Sequence, residues 1–332
     1  MRVVFMGTPE FAVPSLEAVL AAGDVAAVVT RPDAPQGRGQ RVTPPPVAAV
    51  AAQYGLEVLQ PPSLRAPEWL ARLRELRPDL FVVVAFGRIV PPEVLAVAPK
   101  GGINLHPSLL PRYRGAAPIP RAIAAGDAET GVTILHLSHE LDAGDIILQR
   151  AVPIRPDDST ATLEPRLARS GAALLVEALE LLEAGRAPRT PQDPAGVTFA
   201  PKLSREDAPL RWTDPAVALA NLVRALDPWP VAHTEVAGTP LKIWRAAALA
   251  EGGREAPGTV VRSADEGLVV ATGAGRLRIL AVQPPSGRRM TAAEYLRGHP
   301  IAPGTVLGAP DANASAGSTG AAKTRHVPGA GR

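Results

Sequence analysis

An amide, an imidazole and a carboxylate are the groups through which this chain most plainly announces chemistry. The run Ile103-Asn104-Leu105-His106-Pro107-Ser108-Leu109-Leu110-Pro111 starts apolar and ends in prolines. As a strand it would point Asn104 and His106 to one face. The prolines and Gly115 then stop the strand and open a loop. Further on, Leu141-Asp142-Ala143-Gly144-Asp145 supplies a carboxylate on a turn. Such a set suits acyl-type transfer: the amide donates to a developing oxyanion, the imidazole handles a proton and the carboxylate orients the imidazole. An isolated Asn–His pair is as readily structural, but the acid-bearing turn weighs toward a site. Asp145, at the start of an apolar run, suits a turn role.

Other chemistries find little support. The chain of 332 residues has no cysteine, which excludes disulfides, a thiolate nucleophile and zinc–thiolate sites. Gly7-Thr8-Pro9 follows the first apolar run, where nucleotide-binding folds place a phosphate turn, but Pro9 stands where the second glycine of a dinucleotide fingerprint belongs. No phosphate-loop motif ending in Gly-Lys-Ser/Thr occurs. His136 and His139 point to opposite faces if they share a strand, and His233 and His299 lack partners, so no metal is expected.

The elements that must position the candidate triad follow from periodicity. Val3–Met6, Val25–Thr30, Leu80–Phe86, Gly102–His106, Val132–Ser138 and Asp145–Ala151 read as strands. Helices are expected near 14–22, 47–54, 67–76, 117–125 and 160–183, with a long Gly/Pro-rich loop over 31–46. This alternation predicts an open, mostly parallel, Rossmann-like α/β sheet, with ligands beyond the carboxyl ends of its strands. A helix over 217–225 and five short strands between 232 and 282 predict a second, small β-barrel domain of oligonucleotide-binding type. The expected division is 1–188, a linker at 189–206, a barrel at 207–308 and a disordered Ala/Gly/Ser-rich tail at 309–332. The first 201 residues are slightly acidic and the barrel region basic, which permits a polyanionic partner. The amino terminus does not read as a signal peptide, and no apolar run approaches the roughly 20 residues of a membrane span. In the loop, Arg38 and Arg41 stand as either solvated charges or phosphate contacts.

These segments resemble the folate-dependent formyltransferases over about residues 1–308. The resemblance is carried by Met6-Gly7-Thr8-Pro9-Glu10-Phe11-Ala12-Val13-Pro14, the arginine loop at 31–41, Asn104–Pro111 continuing to Ile119, Leu141–Asp145 and Val223–Pro230. The opening segment and the arginine loop narrow it to methionyl-tRNA formyltransferases. Two departures, Ala143 and Pro120, remove no group the chemistry needs.

The resemblance implies a formyl group moving from 10-formyltetrahydrofolate to the α-amine of methionyl-tRNA. Asn104 and a protonated His106 would donate to the oxyanion, Asp142 would hold the imidazolium, and a water would shuttle the proton. Folate would bind around Ser108, Leu109, Leu110 and Pro111, with Phe86 and Ile89 inferred as apolar wall from the Phe-Gly-Arg turn. Arg38, with Arg41 beside it, would meet the acceptor arm and the basic barrel would hold tRNA. A cytoplasmic monomer, without metal or membrane contact, is expected. Rival readings are a formyltransferase acting on an amino-sugar nucleotide or glycinamide ribonucleotide, and a nucleic-acid-binding protein with an inactive α/β domain.

Overall fold

The computed structural model describes residues 1–36, 41–264 and 267–308. The predicted tail and Arg38 therefore lie outside the described residues, as does the side chain of Arg41.

The first half of the chain contains β1 (Arg2–Gly7), α1 (Val13–Ala22), β2 (Asp24–Val29), β3 (Ala34–Gln36), β4 (Arg41–Thr43), α2 (Pro46–Gln53) and β5 (Val58–Leu59). It continues through α3 (Pro67–Leu76), β6 (Leu80–Val84), α4 (Pro92–Leu95), β7 (Gly102–His106) and α5 (Pro118–Ala125). The sheet is completed by β8 (Glu129–His136) and β9 (Ile146–Pro153), and α6 (Thr160–Glu183) follows. The strand order is β5-β2-β1-β6-β7-β8-β9. β1, β2, β5, β6 and β7 run parallel, while β8 lies antiparallel to both neighbours.

Central strands covered on both faces read as continuous apolar runs, and the Leu-Phe-Val-Val-Val of β6 is buried throughout. One core joins Phe5, Val82, Val84, Ile103 and Leu105 to α1 and α6. The other joins Val4, Met6, Phe81, Val83 and Phe86 to α3. Alternation along β7 therefore sends Ile103 and Leu105 into the first core and Asn104 and His106 to the opposite face. α6 starts at a capping box between Ser159 and Thr162. It lies so close to β7 that a Cβ on Gly171 would meet the Leu105 side chain at 2.6 Å.

The second half contains α7 (Ala216–Ala225), β10 (His233–Val236), β11 (Thr239–Leu249), β12 (Val260–Ala264), β13 (Gly267–Ala271), β14 (Arg276–Gln283), β15 (Met290–Thr291) and α8 (Ala292–Gly298). Its antiparallel sheet, ordered β10-β11-β14-β13-β12 with β15 beside β14, curls as a half barrel around Leu219, Val223, Ile243, Val270 and Ile279. α7 packs on α5, and Arg224 donates to the carbonyls of Asp158 (2.7 Å) and Arg155 (3.3 Å). Arg121 pairs with Asp207 at 3.0 Å, so polar contacts also join the halves.

One local expectation is corrected, and some short elements escape periodicity. The 31–46 segment holds the β3–β4 pairing, in register Ala34↔Thr43 and Pro35↔Val42, where its Gly and Pro content suggested loop alone. The short elements β5, α4, β15 and α8 are too brief for periodicity to register, although the Thr291–Glu294 capping box marks the start of α8. The 189–206 segment, expected as a linker, lies against the first half, where Thr190 exchanges both backbone hydrogen bonds with Ile146, at 2.8 and 3.1 Å.

Leu105 sits between Asn104 and His106 and is only 2% exposed. Leu105→Ala is expected to destabilise the chain by roughly 2–5 kcal/mol, because the packed core around it collapses only partly. Chemical denaturation followed by circular dichroism measures this.

Candidate active site

The end of β7, the loop 107–117 and the turn after β8 converge on one another. His106 Nε2 lies 2.9 Å from the Tyr113 carbonyl. A carbonyl only accepts, so Nε2 carries the proton and the other ring nitrogen, Nδ1, faces Asp142. Nδ1 is 3.6 Å from Asp142 Oδ2, too long for a direct hydrogen bond, so the carboxylate acts on the ring mainly through its charge. Asp142 Oδ2 accepts the Gly115 N–H at 2.9 Å, and Asn104 Nδ2 donates to Oδ1 at 3.4 Å. The three groups singled out in the sequence are thus brought together. What differs is the imidazole: its Nε2–H is already committed, so any group it offers a substrate is Nδ1.

His106 is 4% exposed. Burial pushes its pKa below the usual imidazole value, against the opposing pull of Asp142 and of the Tyr113 carbonyl. Tyr113 is itself fixed. Its phenol donates to Asp127 at 2.8 Å, and Arg112 reaches the same carboxylate at 2.7 Å. Burial and the Asp127 carboxylate push the Tyr113 phenol up to about 12. Tyr113 adopts a left-handed φ of 62°, and Asp142 one of 52°. Residue type carries no sign of Tyr113, because it meets His106 through its main-chain carbonyl.

Two glycines are required by close approach. A Cβ on Gly115 would meet the Ala200 carbonyl oxygen at 2.8 Å, and one on Gly144 would meet that of His136 at 1.8 Å. The first lets residues 198–200 lie along the loop. There Arg114 N donates to Thr198 O at 2.8 Å, Ala200 N donates to Arg114 O at 2.7 Å, and Tyr113 N donates to Thr198 Oγ1 at 2.8 Å.

A cleft of about 870 Å³ opens between two walls, one of Arg88, Ile89, Val90, Pro91, Pro92 and Leu95 and the other of Leu137, Ser138 and His139, with Pro62–Arg65 alongside. Its second wall leads within a few residues to Asp142. Arg88 ties the rim by donating to the Pro61 carbonyl at 2.8 Å. Ile89 stands on the cleft, 77% exposed. Phe86 does not: it is 1% exposed in the core with Met6 and Val83, because Ala85, at φ 47°, breaks the strand alternation. Ser108 is fully buried and donates to the Arg112 carbonyl at 2.6 Å. Thr133 binds Ser108 O (2.6 Å) and Leu110 N (3.2 Å), and Gln149 binds Leu110 O (2.8 Å). These backbone groups, expected to meet a ligand, are consumed inside the fold, leaving half-buried Leu109 and Pro111 as the accessible members.

Comparison with known proteins places this chain in a family. Residues 1–179 match the formyl transferase family and residues 202–300 its carboxy-terminal domain. The methionyl-tRNA formyltransferase of Moorella thermoacetica is 51% identical over 309 residues, covering 93% of this chain and 99% of that protein. This chain belongs to the methionyl-tRNA formyltransferase family. The enzyme of the same name from Methylococcus capsulatus is 50% identical over 91% of this chain and 98% of its own length. Among solved structures, an N-formyltransferase from Helicobacter canadensis superposes with a TM-score of 0.65 at 18% identity, covering 87% of this chain and 99% of that one. At that identity the likeness is one of fold.

Two buried imidazoles make stability depend on pH. Burial holds both His106 and His136 below their unfolded value, the neighbouring Arg189 adding to the effect at His136. The unfolded chain then binds more protons below about pH 6.5, so their contribution is present above that value and is lost as pH falls. The melting temperature is expected to drop between about pH 7.5 and 5.5. The drop should be smaller in the His106→Asn/His136→Asn double variant, as scanning calorimetry will read.

Proposed function

We infer that the chain transfers the formyl group of 10-formyltetrahydrofolate to the α-amine of methionyl-tRNA, giving the N-formylmethionyl-tRNA used in translation initiation. The observation that carries this reading is the convergence of Asn104, His106 and Asp142, an amide, an imidazole and a carboxylate, at the end of β7. Family membership supplies the identity of the group transferred.

The cleft fits the donor. Ile89, Val90, Leu95 and Leu137 offer apolar walls to a flat heteroaromatic ring. Leu109 and Pro111 are assigned to the rim nearer the reacting carbon, and Phe86 is left to the core. The enzyme is assigned as a monomer. A role in translation supports a cytoplasmic location, and among the described residues no helix is long and apolar enough to cross a membrane.

The chemistry uses the groups as they stand. The free amine attacks the formyl carbon, forming a new carbon–nitrogen bond while negative charge gathers on the formyl oxygen. Asn104 Nδ2 donates to that oxygen. Burial keeps the imidazole neutral at rest, so Nδ1 is a free base able to accept the proton lost by the amine. The resulting imidazolium faces Asp142, whose carboxylate stabilises it, and the proton passes on to the folate nitrogen as its bond to the formyl carbon breaks.

The acceptor's phosphates call for cations. Arg38, and Arg41 beside it, are assigned to the acceptor arm. Lys242 and Arg245, both exposed on β11, support a tRNA-facing half barrel.

A single-turnover assay tests the reading. Rapid formylation of methionyl-tRNA, and none of a UDP-amino-sugar, is expected; the reverse preference would overturn it. Asn104→Ala should lower turnover by on the order of 10²–10³-fold, the cost of one oxyanion donor, with the folded state intact by circular dichroism. Arg38→Ala should raise KM for methionyl-tRNA far more than the dissociation constant for the folate. Equal losses would place the residue elsewhere.

A further inference from the structure

The segment between the two domains passes behind the His106–Asp142 pair, and one side chain on it touches both halves of that pair's support. Gln192 Nε2 donates to the main-chain carbonyls of Asp142 (2.7 Å) and Gly144 (2.9 Å). Its Oε1 accepts from Arg114 Nε (3.0 Å) and Nη2 (2.7 Å). Carbonyls only accept and a guanidinium only donates, so this amide has one orientation that satisfies all four contacts.

Both targets bear on the pair. Asp142 is held at a φ of 52°, a left-handed conformation that ordinary residues seldom adopt. Its side-chain direction follows from that backbone, which Gln192 pins from behind. Arg114 stands between Tyr113, whose carbonyl holds His106, and Gly115, whose N–H holds the Asp142 carboxylate. The amide therefore ties the loop carrying the imidazole's partner to the turn carrying the acid.

We propose that Gln192 is a positioning residue for formyl transfer, fixing Asp142 against His106 from the segment that leads to the second domain. This rests on the reading of Asp142 as part of the catalytic machinery. In sequence, Gln192 is one polar residue of the 189–206 stretch, with nothing in its type or spacing to mark a role.

Two substitutions in the full chain separate its contacts. Gln192→Met keeps the length and removes both polar ends. Gln192→Glu keeps an acceptor for Arg114 but removes the donor to Asp142 and Gly144. In both, kcat for formylation is expected to fall about 10–100-fold, since small misplacement of a catalytic group costs rate steeply, with KM for folate and for methionyl-tRNA unchanged. In an Asp142→Asn background the further loss from either change should be small, because groups acting as a unit are not additive. Wild-type kcat in Gln192→Glu, or a full additional loss on top of Asp142→Asn, would overturn the proposal. So would a rise in both KM values together with a lowered melting temperature in Gln192→Glu, the mark of a merely structural contact. Normal turnover in Asp142→Asn would instead sink the reading of the acid, and the positioning role with it.

Discussion

The hydrogen bond from His106 Nε2 to the Tyr113 carbonyl sets the terms for the rest of the site. It selects one imidazole tautomer and thereby decides which nitrogen is free to do chemistry. A backbone carbonyl can impose this only if its loop is immobile. The loop's bonds are accordingly spread over several elements: Thr133 on β8, Gln149 on β9, Asp127 after α5, and Thr198 beyond α6. The reversed direction of β8 matters here too. Running antiparallel to β7, it ends beside Ile103 and Gly102, so the turn after it must double back along β7 to bring Asp142 to Asn104 and the Gly115 N–H.

Much of this arrangement was legible from residues alone. β7 and α6 have the bounds their patterns predict, because an apolar run and a long amphipathic stretch each admit one regular structure of the right length. Asn104, His106 and Asp142 stand out as candidates because their side chains are of types that can carry chemistry. Tyr113 and Gln192 do not: one meets His106 through its backbone and the other holds backbone, and neither leaves a mark in residue type. Phe86 was misplaced for a related reason. Strict alternation after Val84 gives no hint that Ala85 turns the chain and sends the next aromatic ring into the opposite core.

The cleft shows the same division. Ile89 lines the cleft close after the end of β6, whereas Leu95 and Leu137, distant in sequence, become neighbours only when α4 folds back beside the end of β8. Spacing reveals neighbours within one element. It does not reveal which loops a sheet will lay side by side.

The strand-like pairing of residues 198–200 with the loop at 114–117 has a consequence for how such chains can be recombined. The apparent seam between the halves, around residue 188, lies upstream of residues that belong physically to the catalytic half. A chimera joined there would give that half a foreign backing, and one joined after Ala200 would carry its own. The boundary by which this fold can be cut and exchanged is therefore set by the last contact made with the active-site loop, some way beyond the end of the last helix of its sheet.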